Sequence, residues 1–292
     1  MSSLLSFLVT VLNASTPILF AAAGILIMQE SGVMNIGAEG MMLIGAFSGY
    51  VGSYGTGNVV GGAFFSLIAT GIVGVIYGLM TITLKANQVV IGIAINIFAE
   101  GITTTLYRTM FGMSKGSTKV AAFEKMGPLI MPVYIGLLMI AVLTVVFDKT
   151  KIGPQIKGAG EYPQALDSMG IHVNRVRYVS VIVGSAIIGF GGAFLSLGEL
   201  SFFTENMVSG RGYIAMAAVI FGRYTPVGVL FAVLLFGAGE AAVYKLSALG
   251  LGIPTQFILM IPYVLTLIVI ACFGHEGAGP KALGVPFSKD EC

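Results

Sequence analysis

The sequence predicts an all-α polytopic membrane protein of about nine transmembrane helices, on three observations. Of its 292 residues 56% are hydrophobic and only 10% charged, with a mean hydropathy of +0.95, where soluble domains carry about a quarter charged residues. Apolar runs long enough to cross a hydrocarbon core of roughly 30 Å follow one another from Leu4 to Cys272. These runs are continuous rather than alternating, which selects internally hydrogen-bonded helices over a closed barrel. No soluble domain of any size fits between them, so residues 1–292 are expected to form a single transmembrane domain.

Spans are predicted near 4–28, 34–55, 59–84, 88–111, 129–147, 177–198, 211–222, 226–248 and 255–273. The first lacks a positive n-region and exceeds a signal-peptide core, so it is expected to be retained uncleaved. The run 211–222 is short and flanked by Gly210, Gly212, Gly222 and Pro226, which predicts a half-helix followed by a break. Orientation follows from basic residues. The loop 148–177 holds Lys149, Lys151, Lys157, Arg175 and Arg177 and is expected to face the cytoplasm, as is the tail 274–292 with Lys281 and Lys289. The N-terminus then lies outside, as does the loop carrying Arg108, Lys115, Lys119 and Lys125, which runs against the charge rule.

Glycine is abundant at 41 residues. The pairs Gly45/Gly49 and Gly74/Gly78 predict close helix packing. The cluster GFGGAF from Gly189 to Phe194 sits inside an apolar run with no preceding strand, which excludes a dinucleotide fingerprint. A net charge of +2 is too small and too scattered to imply a nucleic-acid partner, and none is expected. Cys272 and Cys292 make neither a disulfide framework nor a prenylation box. HExxH is absent, the one GxSxG match, Gly112 to Gly116, lies in a polar loop outside the predicted spans, and His172 and His275 also fall outside them, which argues against an intramembrane enzyme.

One polar stretch interrupts the apolar runs: KGAGEYPQALDSMGIHVNR, Lys157 to Arg175. Tyr162, Ala165 or Leu166, and Met169 recur at helical spacing, Pro163 suits a first turn, and Gly170 suits the left-handed residue beyond the last. An amphipathic helix of about two turns is marginal alone in water, so its apolar stripe needs cover. Either the protein's own membrane surface or a separate cytoplasmic protein can supply it.

GAGEYPQALDSMGI resembles the cytoplasmic loop of ATP-binding-cassette importer permeases that carries their coupling helix. ESGVMNIGAEGMMLIGAF and ANQVVIGIAINI before it, and GRGYIAMAAVIFGRYTPVG and IPYVLTLIVIA after it, occur in the family's order. Together they resemble the permeases of the branched-chain amino-acid, ribose and nucleoside importer family, closest to the shorter permease of the nucleoside branch. The resemblance covers Glu30 to Ala271. It departs at Lys157, Gly158 and Ala159, before the loop's Gly-Glu, and at Leu166, where the family carries a second alanine.

The resemblance implies a permease subunit that is no enzyme and binds no cofactor, with ATP and Mg used by a partner. The partners implied are a second homologous permease, a cytoplasmic ATPase and an extracytoplasmic solute-binding protein. The chain has no P-loop, as that division of labour requires. Gly160, Glu161, Tyr162, Pro163, Ala165, Leu166, Met169 and Gly170 are the expected ATPase-coupling residues. A nucleoside is the implied solute, with branched-chain amino acids or pentoses as alternatives.

Asn35 and Glu39 belong to a broken helix beside the translocation path by the family analogy, while Glu39 can equally cap or pair locally. Gln88, Asn96 and Thr103–Thr105 offer hydrogen bonds to a polar solute or to neighbouring helices. Glu100 and Glu240 are expected inside spans, within reach of Arg108 and Lys245 along their own helices, as helix-to-helix glue. With Glu39 they are also what an ATPase-independent channel or ion-driven transporter would use. Asn206 and Arg211 are expected in an outward loop where a binding protein docks, though such residues are more often simply solvated.

Overall fold

The computed structural model describes residues 3–112, 119–248, 257–258, 260–262, 264, 267 and 279–288. Helix α1 (Ser3–Glu30) is followed by α2 (Ala38–Thr56), α3 (Val59–Gly78, extended by a π-helical turn Leu79–Thr83) and α4 (Gln88–Phe111). Next come α5 (Met131–Lys149), α6 (Ile152–Glu161) and α7 (Pro163–Ser168). The series closes with α8 (Val173–Phe194, with a π-helical turn Leu195–Glu199), α9 (Arg211–Phe221) and α10 (Pro226–Ala248).

The boundaries of α4 and α10 coincide with the predicted 88–111 and 226–248. Six helices, α1, α3, α4, α5, α8 and α10, are long and apolar enough to cross a membrane. A count of nine is not confirmed: glycine, serine and tyrosine dilute α2, α9 is too short, and 255–273 lies largely outside the described residues. The all-α expectation meets one small exception, an antiparallel pair of two-residue strands, β1 (Lys125–Met126) and β2 (Leu129–Ile130).

Helix α8 is the hub, packed against α1, α2 and α3. Lipid supplies no hydrophobic force between helices, so close backbone approach must hold them together. A Cβ at Gly24 of α1 would collide with the Gly184 carbonyl of α8, and one at Gly45 of α2 with Gly189. Both GxxxG pairs pack on this hub, Gly49 against Ala193, Gly74 against Ser185 and Gly78 against the Tyr178 ring. The second half of α1 is wholly buried, whereas α3, α4 and α5 turn apolar faces outward, among them Phe64, Ile97 and Leu138.

Two departures from the sequence reading matter for function. The first half of the cytoplasmic loop, rich in glycine, folds as α6 because Gly153, Ile156, Ala159 and Gly160 are buried against the bundle. Helix α8 begins at Val173, four residues before the predicted span, and draws Arg177 into the core, where it is 1% exposed.

Candidate functional site

Helices α6 and α7 meet at Tyr162, whose φ of −141° breaks the helix and lets Pro163 open the next one. Gly170 closes it at φ +81°, its amide donating to Asp167 O at 2.9 Å. The expected single apolar stripe is divided. Leu166 is 3% exposed and packs with Ala159, Val173 and Phe287, whereas Tyr162 is 56% and Met169 70% exposed, and Ala165 is exposed beside them. Phe287 explains the difference, since periodicity cannot reveal that the tail returns beneath this helix. Pro163 and Gly160 are buried, and Glu161 is half-buried.

The tail forms one wall of a cavity of about 250 Å³ lined by Glu161, Tyr162, Gln164, Lys281, Val285 and Phe287. The Lys281 ammonium lies 4.7 Å from the centre of the Tyr162 ring and donates to its hydroxyl. That hydrogen bond holds the ammonium above its ordinary value.

Arg177 binds this assembly to the bundle. Its guanidinium donates to Ser31 O (3.1 Å), Ala159 O (3.1 Å) and Val285 O (2.8 Å), joining the end of α1, α6 and the tail to α8. The Ala282 amide donates to Gly160 O at 2.8 Å and the Gly284 amide to Gly32 O at 3.0 Å. Gly32 has φ +89°, and a Cβ there would meet Arg177 Nη2 at 2.8 Å. The charge rule counts Arg177 as a topology marker at the end of the cytoplasmic loop. Its spacing from Val181, Gly184 and Ile188, all buried, was the signal that it lies on the buried stripe.

The chain between α1 and α2 is not helical, so its polar groups need partners inside the protein. Gln88 Oε1 accepts from Met34 N (2.7 Å), and the Tyr77 hydroxyl donates to Met34 O. Asn96 Oδ1 accepts from Gly40 N (2.8 Å), while its Nδ2 donates to Ile36 O (3.0 Å) and the Tyr213 hydroxyl (2.9 Å). Asn35 is fully buried, with Nδ2 on the sulfur atoms of Met28 (3.2 Å) and Met41 (3.4 Å) and an Oδ1 that has no partner among the described residues.

Glu39 reaches 171 residues along the chain to accept from Gly210 N at 2.7 Å, and from Gly212 N at 2.8 Å. It thereby caps α9, where the free amides and the helix dipole both favour a carboxylate. Arg211 is placed otherwise than expected. It opens α9 with its side chain 14% exposed, paired with Glu240 at 3.1 Å and near the Tyr244 hydroxyl at 3.3 Å, so it is not offered to a docking protein. Asn206 is exposed. Glu240 thus pairs across helices instead of with Lys245, which lies over the Phe7 ring. Arg108 binds Glu205 in a fork, both contacts 2.7 Å, and is not engaged with Glu100. The fork holds the exposed Glu205 carboxyl below its ordinary value.

A helical membrane bundle with a broken helix, a half-helix of 11 residues and short helices mounted at one end has the architecture of a membrane permease. The chain belongs to the branched-chain amino acid transport system / permease component family, which matches residues 7–270. It is similar to the guanosine ABC transporter permease protein NupQ of Bacillus subtilis, 33% identical over 94% of each chain. The nucleoside ABC transporter permease protein NupC of Lactococcus lactis is 30% identical over 95% of each. A putative glucose ABC transporter permease protein of Haloferax volcanii is 31% identical over 85% of this chain and 81% of its own. No solved structure matches. The chain is therefore a multi-pass plasma-membrane transport subunit and not an enzyme.

Proposed function

We propose that this chain is a nucleoside-importing permease that forms the translocation path with a second, homologous permease and is driven by a cytoplasmic ATPase gripping α7. The observation that carries this is the mounting of α7. Leu166 and Pro163 fix it from below, while Tyr162, Ala165 and Met169 are held in water on a rigid support, the arrangement of a helix that docks in a partner's groove. ATP and Mg belong to that partner. Guanosine and nucleosides are named for two relatives. The sugar named for a third favours a second reading, a permease for sugars.

A closing stroke at α7 has a short route inward. Through Arg177 and the Gly160–Ala282 bond it reaches Ser31 and Gly32, at the head of the non-helical segment that Gln88 and Asn96 hold. Asn35, Glu39, Gln88 and Asn96 act beside the path as positioning residues. Glu39 and Glu240 are committed to a cap and an ion pair, which favours this reading over an ion-driven carrier. The described tail lies against the α6–α7 face, in keeping with a cytoplasmic C-terminus and an N-terminus outside. The solute-binding protein then docks at the opposite end, near Asn206. Purification of the tagged chain from its own membranes tests the proposal: an ATPase and a second permease are expected with it, and a chain that purifies alone contradicts it.

A further inference from the structure

Along α4, Asn96, Glu100, Thr104 and Arg108 fall at every fourth residue and so lie in one strip. Glu100 is exposed, Thr104 and Asn96 are partly exposed, and the strip meets α9 at one end through the Asn96–Tyr213 bond. Its outer end is the fork between Arg108 and Glu205. Glu100 stands within a residue of the middle of α4, about 17 Å from either end. Among the described residues no hydrogen bond or ion pair reaches its carboxylate.

A carboxylate at that depth cannot be left in lipid. It requires water or another polypeptide, and the observations favour water. One contact with a partner chain would need one polar residue, but this strip stays polar from Asn96 to Arg108, while Ile97 and Phe98 next to it supply an apolar face for packing. Asn96 is already consumed by the broken segment. Glu100 is therefore the uncommitted carboxylate on the strip, with two oxygens able to take two donors at once.

We infer that this strip lines a water-filled passage and that Glu100 binds an uncharged solute there through an adjacent pair of hydrogen-bond donors, either a sugar diol or the N–H edge of a guanine. The inference rests on the importer reading for its solute. The test uses the chain assembled with its native partners, with Cys272 and Cys292 replaced by serine and single cysteines placed by Glu100→Cys, Thr104→Cys and Phe98→Cys. A membrane-impermeant methanethiosulfonate is expected to modify positions 100 and 104 at least tenfold faster than 98. Excess guanosine should slow the reaction at 104, where Glu100 is intact, several-fold. Protection retained with 2′,3′-dideoxyguanosine assigns the base edge, and protection lost with it assigns the diol. Protection by glucose and not guanosine assigns a sugar. A thiol at position 100 as inert as the one at position 98, or a thiol at position 104 protected by none of the three, overturns the inference. In the same complex Glu100→Gln should lower solute uptake about tenfold while Glu100→Asp restores part of it. Normal uptake by Glu100→Gln also overturns the inference, and leaves the importer reading standing. Labelling needs no transport, so loss of the ATPase on purification would count against the importer reading alone.

Discussion

Arg177 carries a heavy structural duty, since a buried cation that donates to three backbone carbonyls leaves all three unsatisfied when removed. Arg177→Met is expected to cost roughly 3 kcal/mol, read as a lower unfolding temperature in detergent, and to loosen the tail so that protease cuts it sooner. Unchanged stability and cleavage would show that the three bonds are dispensable. Glu39→Gln keeps an acceptor but removes the charge at the start of α9, and should cost about 0.5–1 kcal/mol, with Glu39→Ala costing more. Equal stabilities for the two variants would mean that Glu39 is no cap. Lys281 has a raised folded-state value, so its contribution is complete below the ordinary lysine value and is lost only as pH rises through the raised one. Between about pH 6 and pH 9 this contact should therefore leave uptake flat, and a pH step there that Lys281→Gln abolishes would contradict the assignment.

At the scale of elements, apolar length and punctuation made much of the fold legible. The limits of α4 and α10, and the brevity of α9 between its glycines and Pro226, were all readable. Helix α6 was not, because Ile152–Glu161 has three glycines and gains its helicity from burial, which no local signal encodes. The division of α7 was hidden for the same reason: only the fold brings Phe287 beneath Leu166. Glu240 and Arg211 were each singled out by polarity, yet their pairing joins positions 29 residues apart on two helices, and i to i+4 spacing could not find it. Met169→Glu should leave the exposed α7 folded, changing stability by under about 0.5 kcal/mol, and should abolish ATPase binding. Retention of the ATPase by that variant would place the docking surface elsewhere.

For the molecule as a whole, the glycine-lined α8 makes a rigid centre to which α1, α2 and α3 are fixed, while apolar faces of α3, α4 and α5 remain for lipid and a fellow permease. Such a body responds to force at one end by tilting as a unit and not by deforming within. What joins the α6–α7 end to this body is the junction of Arg177, Gly160, Gly32 and the tail. The family was legible from five motifs in order, whereas the tail's place in the junction was not, because its ten described residues carry no helical or strand pattern. On the proposed reading, work done at α7 appears as solute movement only while that junction and the α7 surface are intact. The most direct measurement is guanosine taken up per ATP hydrolysed by the reconstituted complex, wild type against Glu161→Lys. Uptake by the wild type only with ATP, and hydrolysis without uptake in the assembled variant, are expected. Full uptake by the variant, or uptake by this chain without any ATPase, would contradict the account.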